Sequence, residues 1–474
     1  MKSVALHNLG CKVNSYELDV MQQFLQKEGY KIVDFNQKAD IYIINTCTVT
    51  NIADRKSRQM IHRAKKQNPD AVVVAVGCYV QTAKEQIESD PYIDLAIGNN
   101  RKKEIVTIVG EYLKRRESLK AVKEQQPAEY KSFSGCDKTL SGTTIPDIAA
   151  EKEYEEMQLS HTAEHTRAYI KIQDGCNQFC SYCVIPYARG RVRSRRAEDV
   201  LAEIQGLVRS GYKEVVLTGI HISSYGLDFQ GRSYNADRET QMDSESEGAL
   251  LALIRKIHAI DGITRIRLGS LEPRIVTEDF AKALSEMPKV CPHFHLSLQS
   301  GSDSVLKRMN RRYTCEEFEK GVGLLRKYFD EPAITTDVIT GFPGETEEEF
   351  GETVDFLKNI RFFEMHVFPY SRREGTVAAS MPGQLAEKEK KQRSAVLLEM
   401  DRQYSLAYRK KHIGKEMPVL FEQAQEIGGV TYQVGHTQNY IKVAVLSEED
   451  LTNCEVLCTL TEMADEETVF AQKN

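Results

Sequence analysis

Apolar runs of strand length recur through the N-terminal part of the chain, at Val4–Leu6, Ile41–Ile44 and Val72–Val76, with helical patterns at Ser15–Glu28 and Asn51–Lys66 between them. This alternation predicts βαβ units and an open parallel sheet covered by helices over residues 1–115. Residues 116–165 turn polar, with Gln125-Gln126-Pro127, Ser141-Gly142-Thr143-Thr144 and Glu151–Glu156, and read as a linker with little core of its own. From 166 to 384 the alternation resumes. Strands are predicted at Ala168–Ile172, Glu214–Thr218, Arg265–Gly269, His293–Leu298, Ile334–Ile339 and Met365–Pro369. Six such units predict a partial (β/α)6 barrel with its chemistry at the C-terminal strand ends. The polar stretch Asp228–Glu247 reads as a surface insertion in one of its loops. Residues 385–412 predict a connecting helix. Short strands divided by turn glycines predict a small β-barrel over 413–474. The fold class is α/β.

Composition narrows the function. Of 474 residues, 41% are hydrophobic and 28% charged, a globular rather than a disordered profile. No apolar run reaches the roughly 18 residues of a membrane helix. The start, Met1–His7, lacks the apolar core of a signal peptide. A cytoplasmic protein with no membrane partner is expected. The net charge of −6 argues against indiscriminate coating of nucleic acid, though it leaves room for a local basic site.

Cysteine usage adds the chemistry. In a reducing compartment the eleven cysteines point to metal ligands rather than disulfides. Cys176, Cys180 and Cys183 place three thiolates within eight residues, directly after the first strand of the expected barrel. Three such ligands suit a [4Fe–4S] cluster with one iron left open. A structural zinc site is the alternative, with His161 or His165 as its fourth ligand. Cys11, Cys47 and Cys78 form a second, dispersed set, each just past the C-terminal end of a strand in the N-terminal sheet. Those ends share one edge of an open α/β sheet, so the three are expected to converge. Three separate buried cysteines are the alternative. Cys136, Cys291, Cys315, Cys454 and Cys458 read as ordinary thiols.

Arg189, Arg191, Arg193, Arg195 and Arg196 follow the cluster loop. On an extended segment the first four would face one way, as a row suited to phosphates or to a cofactor's carboxylate. Lys307-Arg308 and Arg311-Arg312 are a second basic candidate, and a solvated charged face is the alternative for either group. The last 62 residues carry three lysines against eleven acidic side chains, which is unlike a phosphate-tracking surface. Stacking by Tyr432 or Tyr440, or the Arg-rich segments elsewhere, is the expected substitute; a barrel that contributes little to RNA affinity is the alternative.

Cys176-x3-Cys180-x2-Cys183 resembles the cluster loop of radical S-adenosylmethionine enzymes. With the strand-end cysteines in front and a small barrel behind, the layout is similar to the methylthiotransferases. Leu9-Gly10-Cys11-Lys12-Val13-Asn14, Asn45-Thr46-Cys47, Gly77-Cys78-Tyr79, Leu298-Gln299-Ser300-Gly301-Ser302 and Gly341-Phe342-Pro343-Gly344-Glu345-Thr346 carry the likeness over nearly the whole chain. Lys12-Val13-Asn14, Arg189–Arg195 and Leu217–His221 resemble the branch acting on N6-threonylcarbamoyladenosine in tRNA. The branches acting on isopentenyladenosine and on a ribosomal-protein aspartate are the alternatives, and a non-catalytic iron–sulfur RNA-binding protein is the rival outside enzymology.

The resemblance implies two [4Fe–4S] clusters, one on Cys176, Cys180 and Cys183 and an auxiliary one on Cys11, Cys47 and Cys78. It implies S-adenosylmethionine as radical source and methyl donor, C2 of the adenine as the modified atom, an electron donor protein, and a TRAM-like C-terminal barrel. Tyr182, Thr218, Gly219, Ile339 and Gly341 match positions that meet the S-adenosylmethionine, although the acidic residue usual near Thr218-Gly219 is absent.

Overall fold

The computed structural model describes residues 2–125, 143–160, 166–229 and 248–474. Cys136, His161, His165 and nearly all of the Asp228–Glu247 insertion lie outside the described residues.

One compact unit holds residues 1–160 together with Gln173–Asn177 and Cys183–Arg195. It runs β1 (Ser3–Asn8), α1 (Lys12–Lys27), β2 (Lys31–Val33), β3 (Ile41–Thr46), α2 (Asn51–Gln67), β4 (Val72–Gly77), α3 (Cys78–Thr82), α4 (Lys84–Ser89), β5 (Leu95–Ile97) and α5 (Ile105–Gln125). The strands pair in parallel in the order β2-β1-β3-β4-β5. Both β3 and β4 are buried along their whole length, which is why they read as unbroken apolar runs. Because β1, β3 and β4 are neighbours, their C-terminal ends lie side by side.

The second half of the expected linker belongs to this sheet. Thr144 bridges Ile97, the Tyr16 hydroxyl donates to the Met157 carbonyl, and Ile148, Met157 and Leu159 are buried. Widely spaced apolar residues in a polar stretch anchor it without giving a periodic signal.

The other unit holds residues 161–172, Gln178–Tyr182 and Arg196–Asn474. It starts with β6 (Arg167–Lys171); β7 (Gln173–Asp174), α6 (Ile185–Arg189) and β8 (Arg193–Ser194) follow in the chain and belong to the first unit. Then come α7 (Ala197–Arg209), β9 (Glu214–Thr218), α8 (Ala249–His258), β10 (Arg265–Leu268), α9 (Glu278–Ser285), β11 (His293–His295) and α10 (Asp303–Arg308). They are followed by α11 (Cys315–Tyr328), β12 (Ala333–Thr340), α12 (Glu347–Ile360), β13 (Glu364–Pro369) and α13 (Glu387–Lys411). Thr314 with Glu317, and Thr346 with Glu349, form capping boxes that start α11 and α12 by satisfying backbone N–H groups reciprocally. Two parallel sheets, β10-β9-β6 and β11-β12-β13, are joined by the bridges Ile266↔Val290 and Leu271↔Leu296. The result is the expected six-stranded partial barrel.

The C-terminal strands β14 (Glu416–Ile427), β15 (Val430–Thr437), β16 (Lys442–Val445), β17 (Glu455–Met463) and β18 (Thr468–Lys473) close a barrel in the order β14-β15-β16-β18-β17. Val419, Phe421, Val443, Leu460 and Val469 fill it.

Residues at the N-terminal ends of the parallel strands hold this small barrel. Arg265 donates to the carbonyls of His436 at 2.8 Å and Pro418 at 2.9 Å and to Glu455 at 2.8 Å. Arg267 donates to the Gln438 carbonyl at 2.9 Å and to Glu214 at 2.8 Å. Arg167 donates to the Tyr440 hydroxyl at 2.9 Å and pairs with Glu422. The Tyr440 ring stacks on His293 with centroids 4.8 Å apart and lies 4.7 Å from the Arg267 guanidinium carbon. Buried guanidinium groups demand acidic and carbonyl partners, so part of the acidity of the small barrel serves docking. Tyr440 is consumed by that contact, which corrects its expected base-stacking role, while Tyr432 stacks on Phe470 at 5.0 Å.

Candidate functional site

In the first unit the strand-end cysteines come together. Cys11 follows β1 and precedes α1, Cys47 follows β3, and Cys78 follows β4 and opens α3. Cys47 and Cys78 are buried while Cys11 is exposed. Burial, with the neighbouring Cys78 and Cys11, pushes the Cys47 thiol up to about 12. Gly10 has φ +106°, and a Cβ there would stand 2.9 Å from the Cys47 sulfur, so only glycine leaves the space beside that sulfur open.

Cationic and amide donors surround the set. Arg189, wholly buried, donates Nε to Cys78 Sγ at 3.2 Å. Its other nitrogens reach Glu17 at 2.9 and 3.0 Å, Asp174 at 3.1 Å and Asn14 at 2.6 Å. Asn99 Nδ2 lies 3.6 Å from Cys78 Sγ and donates to the Ala188 carbonyl at 2.7 Å. Sequence reasoning missed Glu17, Asp174 and Asn99; of these, only Asp174, two positions before Cys176, carried a local signal.

The donor set fits an iron–sulfur cluster. Three thiols at adjacent strand ends, with guanidinium and amide donors around them, are ligands of the kind that hold an iron–sulfur cluster.

Cys176, Cys180 and Cys183 lie in the segment that follows β6. The Cys176 N–H donates to the Gly190 carbonyl at 3.0 Å, and Gly175, with φ +71°, would drive a Cβ to 1.8 Å from the Arg191 carbonyl oxygen. In the second unit, Cys180 Sγ accepts from Arg311 at 3.3 Å. Arg311 also donates to the Ser297 carbonyl at 3.2 Å and to the Tyr313 hydroxyl at 3.0 Å. Asn310 donates to the Phe179 carbonyl at 2.9 Å and fixes that residue, whose φ is +48°.

Residues matched to the S-adenosylmethionine site occupy the same end of the parallel barrel. Tyr182 and Ile339 pack with Val305, Met309, Phe342 and Tyr370. Thr218 ends β9 and pairs with Lys171, with Gly219 next. The Gly341 N–H donates to Glu345 at 2.8 Å, and its φ is +68°. His221, two residues beyond Gly219, meets Ser224 Oγ at 2.6 Å. Burial, with Arg311 and Arg274, lowers the His221 imidazole to about 3, so it is neutral.

The expected arginine row is corrected. Arg189, Arg193 and Arg195 are 0–1% exposed and serve the interior of the first unit, Arg195 pairing with Glu156 at 2.8 Å. Pro186 stands in the first turn of α6, which carries Arg189 and ends at Gly190 with φ +71°, so the run is not one extended segment. Arg191 and Arg196 are exposed. In the second candidate, Arg311 faces Cys180 and Arg308 pairs with Glu349 at 2.7 Å.

Residues 170–357 match the family model described as the Radical SAM superfamily, and residues 3–98 match Uncharacterized protein family UPF0004. The Threonylcarbamoyladenosine tRNA methylthiotransferase MtaB of Bacillus subtilis (strain 168) is 39% identical over 95% of this chain and 92% of its own. Its namesake from Aquifex aeolicus (strain VF5) is 38% identical over 93% and 96%. The tRNA-2-methylthio-N(6)-dimethylallyladenosine synthase of Moorella thermoacetica is 33% identical over 89% and 87%. Among solved structures, the radical S-adenosylmethionine methyltransferase TsrM from Kitasatospora setae is similar in fold, with a TM-score of 0.52 at 18% identity over 78% of this chain and 73% of that one. The fold and the cluster loop define a radical S-adenosylmethionine enzyme, and with these relatives the chain belongs to the methylthiotransferase family within that class.

Proposed function

We propose that this protein transfers a methylthio group to C2 of the adenine in N6-threonylcarbamoyladenosine beside the tRNA anticodon. The observation that carries the reading is the presence of both cysteine sets on a chain similar, almost end to end, to relatives named for that activity.

When bound, a cluster on Cys176, Cys180 and Cys183 supplies the electron that cleaves S-adenosylmethionine to the radical acting at C2, and one on Cys11, Cys47 and Cys78 supplies sulfur, a second S-adenosylmethionine giving the methyl group. The chain orients these groups and balances their charge. Arg311 donates toward Cys180, and Arg189 toward Cys78. Tyr182, Thr218, Gly219, Ile339 and Gly341 line the S-adenosylmethionine. The backbone at Gly341 is fixed by Glu345, whose Oε2 accepts its N–H. Arg191 and Arg196, both exposed, meet RNA phosphates, and the target base must leave its stack to enter the barrel. The C-terminal barrel is TRAM-like, and a separate protein supplies electrons. The place of action is the cytoplasm, and among the described residues no helix is long and apolar enough to cross a membrane.

Nucleoside mass spectrometry of tRNA, after anaerobic incubation with reconstituted protein, reductant and S-adenosylmethionine, tests this. A methylthio mass gain on threonylcarbamoyladenosine alone is expected. A gain on isopentenyladenosine instead would retain the chemistry and reject the substrate. No gain on either, with 5′-deoxyadenosine still formed, would direct attention to ribosomal proteins.

A further inference from the structure

A polar group lies on the wall formed by β11, β12 and β13. Asp337 on β12 stands in register with His366 on β13, and His295 on β11 pairs with Thr335, two positions before Asp337. His295 Nε2 is 3.3 Å from Asp337 Oδ2, and its Nδ1 is 3.0 Å from Thr335 Oγ1. The two histidine rings stack with centroids 5.8 Å apart. Strand alternation puts Thr335, Asp337 and Ile339 on one face of β12, so this group shares its face with a residue matched to the S-adenosylmethionine site. Burial pushes the Asp337 carboxyl up, but the bond from His295 and the charges of His295, His366 and Arg311 outweigh it and hold the group below its ordinary value. Arg311, whose charge bears on Asp337, donates to Cys180.

On the other side His366 opens on a cavity of about 310 Å³, also lined by the basic Lys442 and Arg409, the acidic Glu364, Asp401 and Glu467, and by His436 and Tyr440. Arg409 is committed to Glu364 at 2.6 Å, and His436 to Glu422 at 2.7 Å. Neither commitment involves His366 or Lys442.

The three donor atoms lie within 4.8 Å of one another, and His295 Nε2 is already turned to Asp337 at 3.3 Å. An organic group with donors and acceptors of its own would extend that pairing. An apolar N6 substituent would desolvate His366 and Lys442 without offering either a hydrogen bond, which is costly for each, while Asp337 would keep only its bond from His295. A threonylcarbamoyl substituent carries a carboxylate, a hydroxyl and N–H groups that complement them.

We propose that His366 and Lys442 bind the carboxylate of the threonylcarbamoyl group while Asp337 accepts from its N–H or hydroxyl, so that this wall selects the substituent. The inference rests on the substrate reading above. A site built to hydrogen-bond a substituent rejects analogues that lack it far more strongly than an apolar pocket does.

The test is fluorescence anisotropy of reconstituted holoenzyme with three anticodon stem-loops, carrying threonylcarbamoyladenosine, isopentenyladenosine or adenosine, for wild type, His366→Ala and Lys442→Ala. Iron content and melting temperature report folding, and Lys442 on a strand of the small barrel is the variant safer for folding. Wild type should prefer the threonylcarbamoyl stem-loop, and each variant should lose about tenfold of that preference, equivalent to about 1.4 kcal/mol, with KM for modified tRNA rising more than kcat falls. Folded variants that keep the wild-type preference would overturn the role of the wall. A wild type that prefers and modifies isopentenyladenosine would instead overturn the substrate reading on which the inference rests.

Discussion

Arg189 Nε lies 3.2 Å from Cys78 Sγ, and the rest of the same guanidinium is held by Glu17, Asp174 and Asn14. One buried cation thus ties α1, β7 and α6 to the cysteine that opens α3. Its planar fork of five donors suits several acceptors at once, which a lysine ammonium would not. The pairing couples the packing of the first unit to Cys78.

Arg189→Ala should therefore be costly. It leaves Glu17 and Asp174 buried with less compensation, although Lys102 still pairs with Glu17. Removing one partner of a buried ion pair costs about 3–5 kcal/mol. Thermal unfolding of the reconstituted variant should begin at markedly lower temperature, and its iron content should fall. An unchanged melting temperature and full iron would show that the guanidinium is dispensable.

Replacing Cys11, Cys47 and Cys78 together by alanine should remove about half of the iron of a two-cluster enzyme. Sulfur transfer should be abolished while 5′-deoxyadenosine still forms from S-adenosylmethionine. The readouts are iron per chain and the two products by mass spectrometry. Loss of all the iron, or of none, would contradict two independent clusters.

Legibility differed between strands and side chains. The parallel strands could be read because buried β3 and β4 are unbroken apolar runs, and the position of Cys11, Cys47 and Cys78 at their ends already implied one site. The arginine row misled because alternation holds only along one extended segment, and Arg189 instead ends a helix that turns at Gly190. Tyr440 looked like a base-stacking ring because nothing local records that Arg167, Arg267 and His293 receive it. The His295, Asp337 and His366 group depends on the register of three strands, which no single segment encodes. Residues 143–160 escaped for the opposite reason, having too few apolar positions to show a period.

Asp401 supplies a pH signature. Its Oδ1 accepts the Met365 N–H at 2.6 Å, and burial, aided by Glu364, lifts its carboxyl to about 6. A carboxyl raised above the unfolded value of about 3.9 binds its proton more tightly in the folded state. Its stabilising contribution is complete below the unfolded value and is lost as pH rises through about 6. Asp401→Asn keeps an acceptor for Met365 and carries no charge. The melting temperature of the variant relative to wild type should be higher at pH 8 than at pH 5 in differential scanning fluorimetry. A difference that does not vary with pH would show that Asp401 does not titrate in this window.

Arg267 makes the strongest case for docking through buried charge. It donates to Glu214 at 2.8 Å and to the Gln438 carbonyl at 2.9 Å, and it lies over the Tyr440 ring. Burial pushes Glu214 up, yet Arg267, with Arg167 and Arg265, holds its carboxyl below the ordinary value. Arg267→Met leaves that carboxylate with weaker partners and frees a carbonyl of the small barrel, a loss of about 3–5 kcal/mol. Adding Glu214→Gln should restore part of it, because no buried charge then lacks its main partner. Limited proteolysis provides the measurement, with cleavage between the parallel barrel and the C-terminal barrel expected to accelerate in Arg267→Met and to slow again in the double variant. Equal cleavage rates in wild type and Arg267→Met would mean that the small barrel is held by its apolar contacts alone.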